Sequence, residues 1–166
     1  MRFSGHDTFH CKEQWLLKGL QLIENEGNKT ESFKDLSAIP KLGVGKNMVR
    51  SILHWLKSFG VINNNNEISE IGNLIFLGNK LDPYLENEGT LWLLQYYLCK
   101  TNYASIYKLI FSDFFSDKAT LEFSESQILK FLERKILKNN LRAVTKNTLK
   151  SDFKVFIKTY ALPSKN

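Results

Sequence analysis

The sequence has few of the residues and segments that mark secreted or membrane-spanning proteins. It holds two cysteines, Cys11 and Cys99, which form no C-x-x-C pair, so we expect reduced, partly buried thiols and no structural disulfide. The longest apolar stretch, Leu91 to Cys99, is far shorter than the ~20 residues that a membrane-spanning helix needs. Residues 1–7 show no apolar segment behind a basic start, which indicates no signal peptide. We therefore expect a cytoplasmic protein.

Motifs that carry chemistry are scarce as well. The sequence has no nucleophile elbow, no phosphate-binding glycine-rich loop and no paired-carboxylate motif. His6, His10 and Cys11 lie close together, but no second cluster supplies a fourth metal ligand, so we predict no metal site. His6 and Asp7 are adjacent, and sequence neighbours rarely face each other as an acid–base pair. We therefore expect no catalytic residues and no cofactor, and we interpret Ser4–Phe9 as a structured turn that lies near DNA.

Only three prolines interrupt the chain, and 43% of its residues are hydrophobic, so the composition is that of a folded protein. A chain of 166 residues suits one domain or two small helical modules. The net charge of +6 is unevenly distributed, because residues 119–166 hold ten Lys and Arg against four Asp and Glu. Such an excess attracts phosphate or an acidic partner. Alternatively, abundant lysine reflects an AT-rich genome.

The spacing of apolar residues predicts a mostly α-helical protein with a winged helix-turn-helix in residues 1–80. The predicted elements of this module are a helix over 12–24, a short helix over 32–39 stopped by Pro40, a helix from Lys46 to about Phe59, a small β-hairpin over 61–69, and a helix capped by Ser69.

Residues 81–166 are predicted to form a second helical module. Its predicted helices cover about 90–99, 103–115, a segment from the Ser124/Gln127 capping box to Lys138, and 146–160. The last two helices resemble a second helix-turn-helix without a wing.

The third predicted helix has a polar face that suits contact with DNA. Arginine can bind guanine with two hydrogen bonds, asparagine can pair with adenine, and lysine can hold phosphate. The alternative is an ordinary solvated face. If Val49, Ile52, Leu53 and Leu56 are buried, the residues on the opposite face are Lys46, Asn47, Arg50, His54 and Lys57.

The last predicted helix carries lysines at every fourth position. Lys146, Lys150, Lys154 and Lys158 form one stripe, and their mutual repulsion would be relieved by a polyanion such as DNA. A solvated helix in a lysine-rich protein is an equally good interpretation. Asn63–Asn66, at the predicted wing tip, supply no cation that would anchor it to DNA.

Three sequence blocks resemble a bacterial family, the domain of unknown function numbered four-thousand-and-seven. They are Phe-Ser-Gly-His-Asp-Thr-Phe at residues 3–9, Leu-Gly-Val-Gly-Lys-Asn-Met-Val at 42–49 and Asp-Pro-Tyr-Leu-Glu at 82–86. The resemblance implies a place in DNA modification and phage-defence loci, often those for phosphorothioation of the DNA backbone, beside a PAPS-reductase-like protein. It implies no activity, because the family has none established.

Two functions remain open from the sequence. One is a non-catalytic accessory or regulatory protein that binds double-stranded DNA, of which a transcriptional repressor is a variant. The other is an adaptor that binds a further protein of the defence system, for example the PAPS-reductase-like one. The residues that would supply either a core or a docking surface for the adaptor are Leu91, Trp92, Leu94, Tyr96, Tyr97 and Phe111.

Overall fold

The computed structural model describes residues 1–27, 30–34, 36–116, 122–139 and 144–161. Within these ranges the protein is mostly α-helical and contains no β-strand. A 3₁₀ turn covers Thr30–Phe33, and π-helical segments extend α4 over Asn73–Leu77 and α6 over Leu109–Phe114. The helices are α1 (Trp15–Asn25), α2 (Ala38–Leu42), α3 (Lys46–Ser58), α4 (Glu70–Gly72), α5 (Glu88–Thr101), α6 (Ser105–Lys108), α7 (Glu125–Lys138) and α8 (Lys146–Tyr160).

Helix α3 lies at the centre of the core. Its side chains Ile52, Trp55 and Leu56 are completely buried. Gly19 of α1 allows the two helices to approach closely, since a Cβ atom there would lie 2.9 Å from both Ile52 Cγ2 and Leu56 Cδ1. Both ends of α3 agree with the sequence prediction to within one residue.

Several helix starts follow from local cap chemistry, as predicted. The backbone N–H of Gly72 donates to Ser69 Oγ, 3.1 Å away. Ser124 and Gln127 form the predicted capping box, with backbone N–H groups donating to the partner side chain at 3.3 and 2.9 Å. Helix α8 begins and ends at the predicted residues. These contacts span three residues, so the sequence alone specifies them.

The prediction that Pro40 stops the second helix is wrong. Pro40 is the third residue of α2, and the helix continues to Leu42. A proline is tolerated there because the N–H groups of the first helical turn have no intrahelical acceptor. The first helix also begins later than predicted, at Trp15, because residues 12–14 form a turn closed by the Trp15 N–H on the Lys12 carbonyl.

The predicted β-hairpin, and with it the winged form, is not supported. Ile62 and Ile68 form a single antiparallel bridge, and no strand is present in the described ranges. Two hydrogen bonds make this bridge, from Ser69 N–H to the Val61 carbonyl and from Asn63 N–H to the Glu67 carbonyl, whereas the Val61 N–H donates to the Leu56 carbonyl at the end of α3. The N–H groups of Val61 and Ile62 both donate to α3 and the turn at Asn63–Asn66 closes the other end, so the pairing does not extend beyond the single bridge.

One hydrophobic cluster contains buried residues from both predicted modules, from Phe3 to Phe156. The N-terminal segment contributes to this continuity because Arg2 exchanges hydrogen bonds with Ser105 at the start of α6. The boundary at residue 80 stays a prediction. No helix within the described part of the chain is long and apolar enough to span a membrane.

Candidate nucleic-acid interface

Helix α3 presents one narrow stripe to solvent. Lys46, Asn47 and Arg50 are exposed and Lys57 is half-buried, whereas almost every other side chain of the helix contacts the protein interior. Lys46, Arg50 and Lys57 follow one another at helical spacings of four and seven residues. Three of the five residues predicted for this face, Lys46, Asn47 and Arg50, are thus exposed. The half-buried Lys57 continues the line of cations that Lys46 and Arg50 begin. DNA contact itself stays a prediction.

The prediction that His54 lies on the exposed face is wrong, because only 4% of its surface is exposed. The N-terminal segment covers this flank of α3. Ser51 Oγ donates to the His6 carbonyl at 2.9 Å, and the rings of His6 and His54 pack edge to face with centroids 5.9 Å apart. A segment more than forty residues away in sequence supplies this cover, so the periodicity of the helix did not reveal it.

Residues Ser4–Phe9 form a tight turn with unusual backbone angles. Four of them have positive φ values, 63° at Ser4, 99° at Gly5, 45° at Asp7 and 67° at Thr8. Such angles are rare outside glycine, and especially rare for a β-branched residue such as threonine. A backbone in this state persists only where many contacts over-determine it. The structured turn predicted from the sequence is therefore present.

Asp152 of α8 is the residue that holds this turn. Its carboxylate accepts the Ser4 N–H at 3.0 Å through each oxygen, and its Oδ1 lies 3.0 Å from His6 Nε2. Because His6 Nδ1 accepts the Thr8 N–H at 3.0 Å, the ring hydrogen must be on Nε2 and is donated to Asp152. The sequence offered no signal for this pair.

Asp7 faces α3 rather than its neighbour His6. Its Oδ2 accepts a hydrogen bond from Arg50 Nε at 3.0 Å, and Arg50 Nη2 donates to Asn47 Oδ1 at 2.7 Å. His6 and Asp7 therefore form no acid–base pair. The result is a guanidinium held by two partners at the surface of α3, with 59% of the side chain still exposed.

Two further cations, Arg2 and Lys34, lie near the same face and were missed by the sequence analysis. The Arg2 guanidinium lies over the Tyr103 ring, 4.1 Å from its centroid. Partial burial lowers the pKa of Lys57, and the charges of Arg2 and Lys34 lower it further, so both cations are within electrostatic reach of Lys57. Nothing in the spacing of these residues along the sequence indicates their proximity.

The lysine stripe predicted on α8 is a second cationic surface. Lys146, Lys150 and Lys154 are exposed on the side of the helix opposite the buried Leu149 and Phe153. Lys146 has one acidic neighbour, Glu133, 3.9 Å away. Toward the end of the helix Lys158 continues this stripe, and its charge contributes to the lowered pKa of His10, whose main cause is desolvation.

The six apolar residues considered for the adaptor are divided between core and surface. Leu94 is buried, whereas Leu91, Trp92 and Tyr96 of α5 are exposed, Trp92 by 74%. Tyr97 is half-buried and Phe111 is 38% exposed. The aromatic surface predicted as one of two possibilities is therefore present on α5.

The residues considered for a metal site do not converge. His6 is bonded to Asp152, and no group of three or more His, Cys, Asp or Glu side chains that could hold a metal occurs in the parts of the chain that the structure describes. Cys11 and Cys99 are free and half-buried, as expected, and burial raises the pKa of both thiols.

Two solved structures have a similar fold. A crystal structure of SspB matches 97% of this chain with a TM-score of 0.79 and 22% identity, and a structure of SspB with bound magnesium ion matches 99% with a TM-score of 0.79 and 23% identity. The chain spans about half the length of these proteins, since the match covers 50% of each. No curated protein matches the sequence. A family described as a protein of unknown function, DUF4007, matches residues 3–166, and the chain therefore belongs to the DUF4007 family.

Proposed function

We propose that this protein is a non-catalytic accessory or regulatory protein that binds double-stranded DNA in a bacterial DNA modification or phage-defence system. The observation that carries the proposal is the cationic stripe of α3, formed by Lys46, Arg50 and Lys57 beside the exposed Asn47. Cations along one helix, with few acidic side chains between them, provide the phosphate contacts on which most of the affinity for DNA rests.

Arg50 is suited to bind an acceptor-rich partner. Asp7 and Asn47 occupy Nε and one hydrogen of Nη2, and both hydrogens of Nη1 have no partner among the described residues. The free hydrogens of Nη1 can donate to an acceptor of guanine or to a phosphate oxygen. Because Asp7 and Asn47 hold the side chain in place, less conformational entropy is lost on binding.

The genomic setting of the proposal comes from the family. The resemblance of residues 3–9, 42–49 and 82–86 to the four-thousand-and-seven family implies a locus for DNA modification or defence, and the family match is consistent with it. The fold shared with SspB extends over half of that protein. Phosphorothioated DNA is therefore the first modified duplex to test.

The test is a binding titration of the protein against two duplexes of identical sequence, one with a phosphorothioate and one without, at several salt concentrations. We expect binding that weakens with increasing salt, because the released counterions scale with the number of phosphate contacts. Equal affinity for the two duplexes would show that this protein does not itself recognise the phosphorothioate. Absence of binding at low salt would refute the proposal.

A second candidate function, a protein-interaction adaptor, is favoured by the exposed aromatic surface of α5. Leu91, Trp92 and Tyr96 are exposed close together on one helix, and a contiguous exposed apolar patch often marks an interaction site. Tryptophan and tyrosine also dominate the energetic centres of protein interfaces. The partner to test is the PAPS-reductase-like protein of the same locus, by co-purification of the two expressed together.

A further inference from the structure

His54 is a buried polar side chain without a hydrogen-bond partner. Neither of its ring nitrogens has a donor or acceptor in the described part of the chain, although 96% of the residue's surface is covered. Buried polar groups are nearly always satisfied, because leaving one unpaired is costly. Desolvation, assisted by the nearby charges of His6 and Arg2, lowers the pKa of His54 to about 3, so the ring is neutral.

Cations surround this ring. On α3, Arg50 precedes His54 by one helical turn and Lys57 follows it by one turn, so both are its neighbours on the helix surface. Arg2 approaches from the N-terminal segment: a Cβ atom on Gly5 would lie 2.8 Å from His54 Nδ1 and 3.4 Å from Arg2 Nη2. The absence of a side chain at Gly5 therefore leaves room for the Arg2 guanidinium and the His54 ring on the same side of the turn.

Arg2 is held in position by contacts on both its backbone and its side chain. Its backbone N–H donates to Ser105 Oγ at 2.7 Å, and its carbonyl accepts from Ser105 N–H at 3.0 Å. Its guanidinium lies over the Tyr103 ring, whose centroid is also 5.5 Å from that of His54. Neither Arg2 nor Lys57 forms an ion pair with any residue that the structure describes.

We propose that Arg2, His54 and Lys57 form a phosphate-binding site. A phosphate would supply the negative charge that the two cations lack. Both ring nitrogens of His54 are covered, so a phosphate oxygen accepts from the N–H of the neutral ring only when the turn of residues 4–9 moves aside. The nearest carboxylates are already engaged, Asp7 with Arg50 and Asp152 with His6. That the phosphate belongs to a DNA strand rests on the proposed function, whereas the site itself rests on the packing of Arg2 and His54 beside Gly5 and on the one-turn spacing of His54 and Lys57 along α3.

The first experiment uses inorganic phosphate and the whole protein. The imidazole signals of His54 are followed by NMR as phosphate replaces chloride at constant ionic strength and constant pH. We expect a saturable shift of these signals and a rise in the His54 pKa, because a bound anion favours the charged ring. No saturable shift at tens of millimolar phosphate would overturn the proposal.

Variants assign the site to its residues. Arg2→Ala and Lys57→Ala should each weaken phosphate binding by about tenfold, as expected for loss of one charge-assisted hydrogen bond. Lys18→Ala removes an exposed lysine of α1 and should leave the affinity unchanged. Unchanged phosphate affinity in both site variants would refute the assignment, provided that their thermal unfolding matches the wild type.

Duplexes distinguish the source of the phosphate. If the ligand is a terminal phosphate, a short duplex with 5′-phosphates should shift the His54 signals at a lower concentration than the same duplex with 5′-hydroxyls. If it is a backbone phosphate, the two duplexes should act alike. A response to inorganic phosphate without a response to either duplex would support the site and contradict the DNA-binding function, so the two failures can be told apart.

Discussion

His6 and Asp152 are 146 positions apart in the sequence and 3.0 Å apart in the folded protein, where Nε2 of the imidazole donates to Oδ1 of the carboxylate. Both residues are buried. The contact connects the N-terminal turn to α8, and the same carboxylate also accepts the Ser4 N–H. Helix α8 therefore fixes the position of the N-terminal turn. This turn covers α3, and its Asp7 holds the Arg50 side chain.

Replacing Asp152 by alanine should destabilise the protein and release the turn. The change leaves the Ser4 N–H and the His6 Nε2–H without acceptors, which should reduce the free energy of unfolding by about 2–4 kcal/mol. Urea denaturation measures this loss. The matched control is Lys154→Ala, an exposed change on the same helix that should alter stability by no more than about 0.5 kcal/mol. Equal stability of the two variants would show that the carboxylate does not hold the turn.

Replacing Gly5 by alanine should be more harmful than the same change at Gly43. Both glycines have positive φ, 99° and 67°, but only at Gly5 would the new methyl group collide with His54. We expect about 1 kcal/mol of backbone strain at Gly43 and an additional 1–3 kcal/mol from overpacking at Gly5. Thermal unfolding of the two variants tests this order, and a reversed order would contradict the packing of the turn on α3.

Stability should fall as the pH decreases from about 6.5 toward 3, in part because of His54. The pKa of this residue is about 3 in the folded protein and near 6.5 when unfolded, so in this range the unfolded state binds a proton that the folded state excludes. At pH 5 the contribution should be about 2 kcal/mol relative to pH 7. In His54→Phe this part of the pH dependence should disappear, whereas His10→Phe should retain most of it. Parallel pH profiles for the wild type and His54→Phe would refute the assignment.

On α3, Lys46→Ala and Arg50→Ala should both weaken DNA binding with little effect on folding, because both side chains are exposed. Loss of Lys46 should weaken the affinity for all DNA sequences alike and reduce the salt dependence of binding by about one counterion. If Arg50 contacts a base, its loss should weaken the free energy of binding by about 1–3 kcal/mol and relax the sequence preference. Fluorescence anisotropy with several duplexes measures both effects. Lys150→Ala with Lys154→Ala is the comparison on α8: if that variant loses affinity and the α3 variants do not, the DNA interface is the lysine stripe.

Replacing Trp92 by alanine tests the adaptor function. Its side chain is 74% exposed, so the substitution should leave the unfolding temperature nearly unchanged. The free energy of binding to a partner should weaken by about 2–4 kcal/mol, as is usual for a central aromatic residue of an interface. Isothermal calorimetry with the PAPS-reductase-like protein measures the loss. Leu137→Ala removes another exposed apolar side chain, on α7, and should bind normally. Identical affinities of both variants would exclude the α5 surface from that interface.

Local interactions made much of the helical structure predictable. Local contacts within three or four positions determine the caps at Ser69 and Ser124 and the ends of α3 and α8. The periodicity of apolar residues predicts which face of each helix packs on the core. For the same reason Lys46, Asn47 and Arg50 were placed correctly at the surface. The family predicted from the sequence is also the one whose model matches residues 3–166.

The tertiary structure alone decided which polar residues meet. The periodicity of apolar residues predicts only the face of a helix that packs on the core. The N-terminal turn covers a further face of α3, and this contact buries His54. The turn is in place because Asp152, far along the chain, offers an acceptor to the Ser4 N–H and to His6. The position of Arg2 beside Gly5 and near His54 likewise depends on the tertiary structure, since the packing of distant segments leaves no spacing pattern in the sequence.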